Sequence, residues 1–332
     1  MNEPKISVII PLYNAEKYIR ECLVSVLASK FQDYEVLVVD DCSTDNSVAE
    51  VKKLLPHFDG RLKIFSTEKN SGGSGVPRNI GIKNSSGKYV TFIDNDDMIL
   101  PDALEIFFQT AEAYGAEVVH TEKALGFKKE LKSDTVKPYL MGIKEKFVSE
   151  PTFEPVDLNY RVHHFIHEKF SWMPWSKFFL RDFLLKNKIE FPQMQYGEDF
   201  VFIFKCLCLA KKYLLVPYVT NLHRVGISSA ANVRFSNAHS AVRLWLKTFL
   251  TKLFVIDEFM SELEFFKVNS AARRDVLKFC VDWEFNIVKF FKDMPPHDVQ
   301  KFIFDELENP ELNSTGKNIL ISYLCTEKFL AE

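Results

Sequence analysis

"YVTFIDNDDMILPD", residues 89–102, joins an apolar run to a tight acidic cluster. Tyr89 to Ile93 have the β-branched and aromatic character of a strand buried in a sheet, and Asp94, Asn95, Asp96 and Asp97 follow at once. Carboxylates this close repel one another, so either they cap a helix from an exposed turn or something positive holds them. A calcium loop of the EF-hand kind would use Asp94, Asp96 and Glu105, but it needs glycine at its sixth position, where Ile99 stands. An Asp-x-Asp at the tip of a buried strand suits Mg²⁺ or Mn²⁺ better, because those ions keep positions open for phosphate oxygens.

Working outward, strand-like and helix-like segments alternate. "KISVII" (5–10), "YEVLVVD" (34–40), "LKIFST" (62–67), "KYVTFI" (88–93) and "AEVVHT" (116–121) read as strands. Residues 15–29, 45–55, 76–85 and 101–115 read as helices, with Ser43 or Thr44 capping the second and Gly115 ending the fourth. This alternation predicts an α/β fold: a mostly parallel central sheet flanked by helices. Ligands in such sheets gather at the carboxyl ends of the strands. Those ends carry Pro11 to Asn14, Asp40-Asp41, Asn70 to Gly75 and Asp94 to Asp97.

Residues 123–160 are less regular and read as a loop-rich connection. From 176 the helical pattern returns, and "YLLVPYV" (213–219) reads as a further strand. After about residue 236 the pattern is helical throughout, and no glycine falls between Gly226 and Gly316. The expected division is therefore a nucleotide-binding and catalytic domain over 1–230 and a helical extension over 231–332. That extension would serve acceptor binding, homodimerisation or membrane docking.

Composition narrows the function classes. A net charge of −3 over 332 residues gives no electrostatic case for a nucleic-acid partner. The 31 phenylalanines fit a dense aromatic core or an exposed apolar face. Six scattered cysteines without a C-x-x-C pair suggest a reducing compartment. "MNEPKISVII" lacks the features of a signal peptide, and no apolar run is long enough to span a bilayer. The expected location is the cytoplasm, or a peripheral position at the inner face of the membrane.

Other stretches add candidate chemistry. "NSGGSGVPRN" (70–79) is neither a dinucleotide fingerprint nor a P-loop, but its glycines allow a loop to approach a ligand closely, and Arg78 could pair with phosphate. "QYGEDF" (195–200) sets Glu198 and Asp199 before an apolar helix, as dipole-favoured acids or as a carboxylate base with its neighbour. Trp172 and Trp175 could stack on an acceptor sugar or simply pack in the core. His223 or Arg224, in "NLHRVGISS" after a strand, could reach a pyrophosphate.

Taken together, "SVIIPLYNAEKYI" (7–19), "EVLVVDDCSTDNS" (35–47), "NSGGSGVPRNIGI" (70–82), "GKYVTFIDNDD" (87–97), "WSKFFLRDFL" (175–184) and "YGEDF" (196–200) resemble the inverting family 2 glycosyltransferases of GT-A fold, of the bacterial surface-glycan type. The resemblance spans about residues 5–230. It implies a UDP-sugar donor, a glycan acceptor (polysaccharide, lipid-linked oligosaccharide or glycoprotein glycan) and Mn²⁺ or Mg²⁺. It places Pro11, Tyr13, Asp41, Arg78, Asp94 and Asn95 around the nucleotide sugar. It also makes Asp96 the direct metal ligand, with Asp94 at the metal or its water shell, and Asp199 the general base beside Glu198. A nucleotidyltransferase would also join such a sheet to a metal and a nucleotide, and a binding module without catalysis is the other alternative.

Overall fold

β1 (Ile6–Leu12) and β2 (Tyr34–Asp40) are buried along their whole lengths, as strands covered on both faces are. In this computed structural model, which describes residues 3–128, 139–142, 148–168, 170–225, 238–287, 296–308, 310 and 317, they centre a sheet with β3 (Leu62–Ser66) and β4 (Tyr89–Phe92). These four run parallel in the order β3-β2-β1-β4, with Ile6 opposite both Tyr34 and Tyr89. Their carboxyl ends therefore share one edge.

Helices cover both faces. α1 (Ile19–Leu27), α2 (Ser47–Leu54) and α4 (Ala103–Tyr114) pack on the side carrying Ile6, Val8, Ile10 and Leu12. α3 (Gly75–Asn84) lies on the other side, so close to β1 that a Cβ on Gly81 would stand 2.3 Å from Ile9 Cγ2. α4 ends as its sequence predicts: Gly115 takes a left-handed conformation, and its N–H reaches the Ala111 and Glu112 carbonyls. The second helix is capped differently from expectation. Its N-cap is Asn46, while Ser43 and Thr44 bond Asn14 instead, joining the loops after β1 and β2.

The rest of the sheet departs further from the sequence reading. β5 (Met98–Ile99) follows the acidic turn, and β6 (Val118–Phe127) runs six residues past the predicted strand. The stretch read as loop-rich also contains β7 (Tyr139–Gly142), β8 (Thr152–Phe153) and α5 (Leu158–His167). "KFFL", read as part of a helical pattern, is instead β9 (Lys177–Leu180), antiparallel to both β4 and β6. The phenylalanines at 179 and 183 mimic helical spacing, but Phe178 and Phe179 face opposite sides of the sheet. Phe178 stacks on Tyr89 and Phe107, and Phe179 meets Phe202.

α6 (Arg181–Lys186) and α7 (Glu198–Leu209) lead to β10 (Tyr213–Arg224). β10 is longer than the predicted 213–219 strand. Its pairing with β6 shifts register on both sides of Val219 and then continues to Arg224. Pro217, which has no N–H for the ladder, lies in the first shift. The order across the main sheet is β3-β2-β1-β4-β9-β6-β10-β5.

The chain divides into two compact units, Met1–Ile227 and Ser228–Glu332. The boundary expected at 230/231 and residues 226–229 of the "NLHRVGISS" stretch lie outside the described residues. The described part of the second unit is helical, as expected: α8 (Ala238–Glu262), α9 (Glu264–Val268), α10 (Ser270–Ile287) and α11 (Pro296–Leu307). Phe249, Ile256, Met260, Phe266 and Val276 are buried within it, and Arg273 of α10 pairs with Asp257 of α8 at 2.7 Å. Among the described residues no helix is long and apolar enough to cross a membrane.

Candidate active site

The acidic turn after β4 is held from three directions. Arg78, on α3 and 2% exposed, sends Nη2 to Asp94 at 2.7 Å and Nη1 to Asp199 at 2.5 Å. One guanidinium thus ties the tip of β4 to the first turn of α7. Its charge suffers from burial, but Asp199, Asp94 and Glu198 together raise its pKa above the usual guanidinium value. Phe191 and Phe92 lie within cation–π range of it. Arg78 is therefore engaged by carboxylates, not presented at the surface.

Asp97 is buried and has other partners. His223 Nδ1 lies 2.9 Å from its Oδ2, and the Arg224 backbone N–H donates to its Oδ1 at 2.8 Å. The bond to Asp97 holds the His223 pKa above its ordinary value. Trp175 stacks on the His223 ring with centroids 5.4 Å apart and planes 9° from parallel. Only 7% exposed, Trp175 supports that imidazole and offers no open platform. Trp172 packs on Phe200 and Phe165. Trp175 is thus buried in the packing around the site, while Trp172 is half-buried.

Asp96 differs from its neighbours. Among the described residues it makes no side-chain hydrogen bond or ion pair with another residue. Burial, with Asp94 and Asp97 alongside, pushes its carboxyl up to about 7. A carboxylate destabilised in this way is relieved by a proton or by a cation. No three His, Cys, Asp or Glu side chains among the described residues converge as a ready metal cage. A hard cation at Asp96 would therefore need oxygens from a bound ligand, as Mg²⁺ and Mn²⁺ commonly do. The residues present fit such an ion.

α7 starts at Gly197, whose φ of 77° lets the chain turn sharply into the helix. Asp199 is in the first turn, with a side chain 30% exposed. Burial pushes its carboxyl up to about 7; Arg78 pulls it down, while Glu198 and Asp94 push it up. Glu198 is buried and accepts a hydrogen bond from the Ser74 hydroxyl at 2.8 Å.

The glycine loop does something the sequence did not suggest. A Cβ at Gly72 would meet Gln195 Nε2 at 2.6 Å, and one at Gly73 would meet the Met194 carbonyl at 2.8 Å. These glycines let the loop press against the chain leading into α7. Asn79 fastens the same join: its amide donates to the Phe191 carbonyl at 2.8 Å and accepts from the Phe191 N–H at 2.9 Å.

At the other end of the edge, Asp41 is buried and accepts from the Ser71 N–H and hydroxyl and from the Thr67 hydroxyl. It fixes the start of the glycine loop. Asn95 donates to the Pro11 carbonyl at 2.9 Å, joining the ends of β1 and β4. Tyr13, 44% exposed, is the open aromatic beside this join. Arg224 is buried, and its guanidinium goes to Glu21 and to the Asp96 carbonyl, not to solvent. Ser71, Ser74, Asn79 and Glu21 were not among the sequence candidates. Their contacts span 30, 124, 112 and 203 positions, a separation that no local pattern encodes.

Comparison with known proteins gives the arrangement a context. The model of the family "Glycosyl transferase family 2" matches residues 7–188. That stretch holds Asp41, Arg78 and the acidic turn and stops before Glu198. The chain is 32% identical over 239 residues to poly(ribitol-phosphate) beta-N-acetylglucosaminyltransferase TarS of Staphylococcus aureus, covering 68% of this chain and 37% of that protein. It is 34% identical over 213 residues to a poly(ribitol-phosphate) beta-glucosyltransferase of Bacillus spizizenii, covering 63% of this chain and 30% of that one. The chain therefore spans about a third of the length of these relatives. Among solved structures, residues 1–349 of S. aureus TarS in complex with UDP-GlcNAc align with a TM-score of 0.58 at 25% identity, covering 79% of this chain and 73% of that one. The same fragment in complex with UDP aligns with a TM-score of 0.54 at 27% identity, covering 79% and 72%.

Proposed function

Because the chain belongs to glycosyl transferase family 2, and so is a glycosyltransferase of GT-A fold, we propose that it moves a sugar from a UDP-sugar to a hydroxyl of a surface-polymer glycan, with inversion at the anomeric carbon. The donor class is argued from the TarS fragment seen with UDP-GlcNAc and with UDP. The acceptor class is argued from the polymer named for both relatives.

One observation carries the mechanism. The carboxylates of Asp94 and Asp97 have protein partners, that of Asp96 has none among the described residues, and Asp94 shares Arg78 with Asp199. A cation position and a carboxylate base thus belong to one site. Asp96 would hold Mn²⁺ or Mg²⁺, which would offset the charge gathering on the departing diphosphate.

The chain's own groups account for the rest. Asp199 takes the proton of the acceptor hydroxyl as its oxygen attacks the anomeric carbon and the bond to UDP breaks. Attack opposite the leaving group inverts the configuration. A base with a pKa near the working pH is best matched to this task, and a carboxyl pushed up to about 7 meets that condition. Asp41 holds the loop that would lie beside the nucleotide, and the exposed Tyr13 would line the uridine pocket. His223, braced by Trp175 and Asp97, would serve the diphosphate with its other ring nitrogen.

The test is release of UDP from a panel of UDP-sugars with Mn²⁺ and a poly(ribitol-phosphate) acceptor. Asp199→Asn should lower transfer by about 10²–10⁴-fold with UDP binding retained. Transfer at the full rate in that variant would remove the base assignment. A panel in which no UDP-sugar reacts or binds would remove the donor.

A further inference from the structure

Arg224, a candidate phosphate ligand by sequence, has its guanidinium held by protein groups. Its guanidinium lies against the rings of Tyr18 and Phe127, 5.0 and 4.6 Å from their centroids, with a side chain 4% exposed. Nη2 pairs with Glu21 of α1 at 2.6 Å. Nε donates to the Asp96 carbonyl oxygen at 3.0 Å, and the Arg224 backbone N–H donates to Asp97. Strand pairing adds to this hold, because Leu222 and Asn221 of β10 face Met98 and Ile99 directly after the turn.

We propose that Glu21 and Arg224 form a positioning brace that orients the Asp96 peptide, and so aims the Asp96 carboxylate at the cation. This rests on the reading of Asp96 as the metal anchor. The contact falls on the carbonyl, not the carboxylate, so the brace fixes the backbone and leaves the ligand's charge uncompensated. A cationic side chain on the carboxylate itself would compete with the metal. Glu21 keeps Arg224 from turning that way by pairing with the outer end of the fork, and Tyr18 and Phe127 confine the plane. The bond crosses 203 residues of sequence and links α1, which contributes no ligand, to the metal turn.

The test titrates the full chain with Mn²⁺ at fixed UDP, read by thermal shift, for the wild type, Asp96→Asn, Glu21→Ala, Arg224→Lys and the double variant Glu21→Ala/Arg224→Lys. Changes to groups that orient a metal ligand typically cost about 10–100-fold in metal affinity. Arg224→Lys should raise the Mn²⁺ half-saturation within that range, and Glu21→Ala by about tenfold. The double variant should be no worse than Arg224→Lys, because both residues act through one contact. The UDP shift measured in EDTA should stay at its wild-type size in all three, which a general loosening of the fold would not permit. Wild-type Mn²⁺ titrations in the single variants overturn the brace. If Arg224→Lys does not fold, Glu21→Ala, a change at the half-buried end, decides alone. A wild type with no Mn²⁺-dependent shift, or an Asp96→Asn that keeps it, overturns the metal reading instead.

Discussion

Arg78→Met removes the one positive charge between Asp94 and Asp199 while keeping much of the side-chain volume. Two charge-assisted hydrogen bonds disappear, each worth about 1.5–3 kcal/mol when well shielded. The carboxylates that lose them are 31% and 30% exposed, so water recovers part of that cost. A net destabilisation of about 2–3 kcal/mol follows. For a unit of this size that lowers Tm by roughly 4–12 °C. The effect on rate should be larger and should depend on pH. Arg78 is what pulls the Asp199 carboxyl down against burial, Glu198 and Asp94. Without it the pKa climbs above about 7, and less of Asp199 is ionised at neutral pH.

Each unit of upward shift costs up to about tenfold in activity at pH 7, and loss of the fork's geometry adds a pH-independent factor of up to about 10². The assay is UDP release across pH 5.5–9.5, with thermal unfolding of the same samples. Wild-type activity should fall as pH drops through about 7, because only the ionised carboxylate accepts a proton. In Arg78→Met the midpoint should move up, and part of the loss should be recovered at pH 9. Arg78→Lys, charged but unable to fork, should shift the midpoint less. A wild-type profile in a folded Arg78→Met would refute the argument, as would an equal loss at every pH.

Two further outcomes follow from the same geometry. The Asp96 carboxyl, raised in the fold from an ordinary aspartate value to about 7, favours folding below the unfolded pKa, and that contribution is lost as pH rises through about 7. A cation can replace the lost proton, so Mn²⁺ with UDP should raise Tm more at pH 8 than at pH 5.5; equal shifts, or the same dependence in Asp96→Asn, would refute this. Gly81→Ala should destabilise by about 1–3 kcal/mol through its clash with Ile9 Cγ2, and Ile9→Ala in the same chain should recover part of that. Loss of stability in the double variant equal to the sum of the single losses would show that the clash is not the cause.

The sequence revealed most where chemistry is local. β1, β2 and β4 are short, mostly apolar, β-branched and aromatic runs, α4 carries its own stop at Gly115, and the acidic turn is contiguous, so each was legible from a short window. β9 was not, because four residues with phenylalanines on both sides satisfy a helical and a strand pattern equally. Only its neighbours β4 and β6 decide between them. The site was legible as a set of residues but not as a set of partners. Arg78 and Arg224 both look like phosphate ligands in one dimension. In three dimensions each is buried against carboxylates or a carbonyl 16 to 203 positions away. The glycines of 72–75 announce close approach, and only the fold shows that what approaches is Met194 and Gln195.

β9 also explains how Asp199, some hundred residues from the acidic turn, comes to share its guanidinium. Tyr89 pairs with Leu180 and Thr91 with Phe178, so β9 enters at the carboxyl edge of β4 and leaves at the far edge, where the Arg181 N–H bonds the Lys88 carbonyl. The chain must then return to the first edge before α7 can start. It does so across the face that carries α3, anchored midway where Asn79 clasps Phe191. Phe191 stacks on Phe202 of α7 with centroids 3.8 Å apart, so the returning chain and the helix it feeds are packed as one piece. A parallel strand at this position would have ended at the site edge and delivered its following helix there without the return, leaving nothing to press on the glycine loop. The antiparallel insertion is thus the reason that the loop after β3, the acidic turn after β4 and the first turn of α7 meet around Arg78.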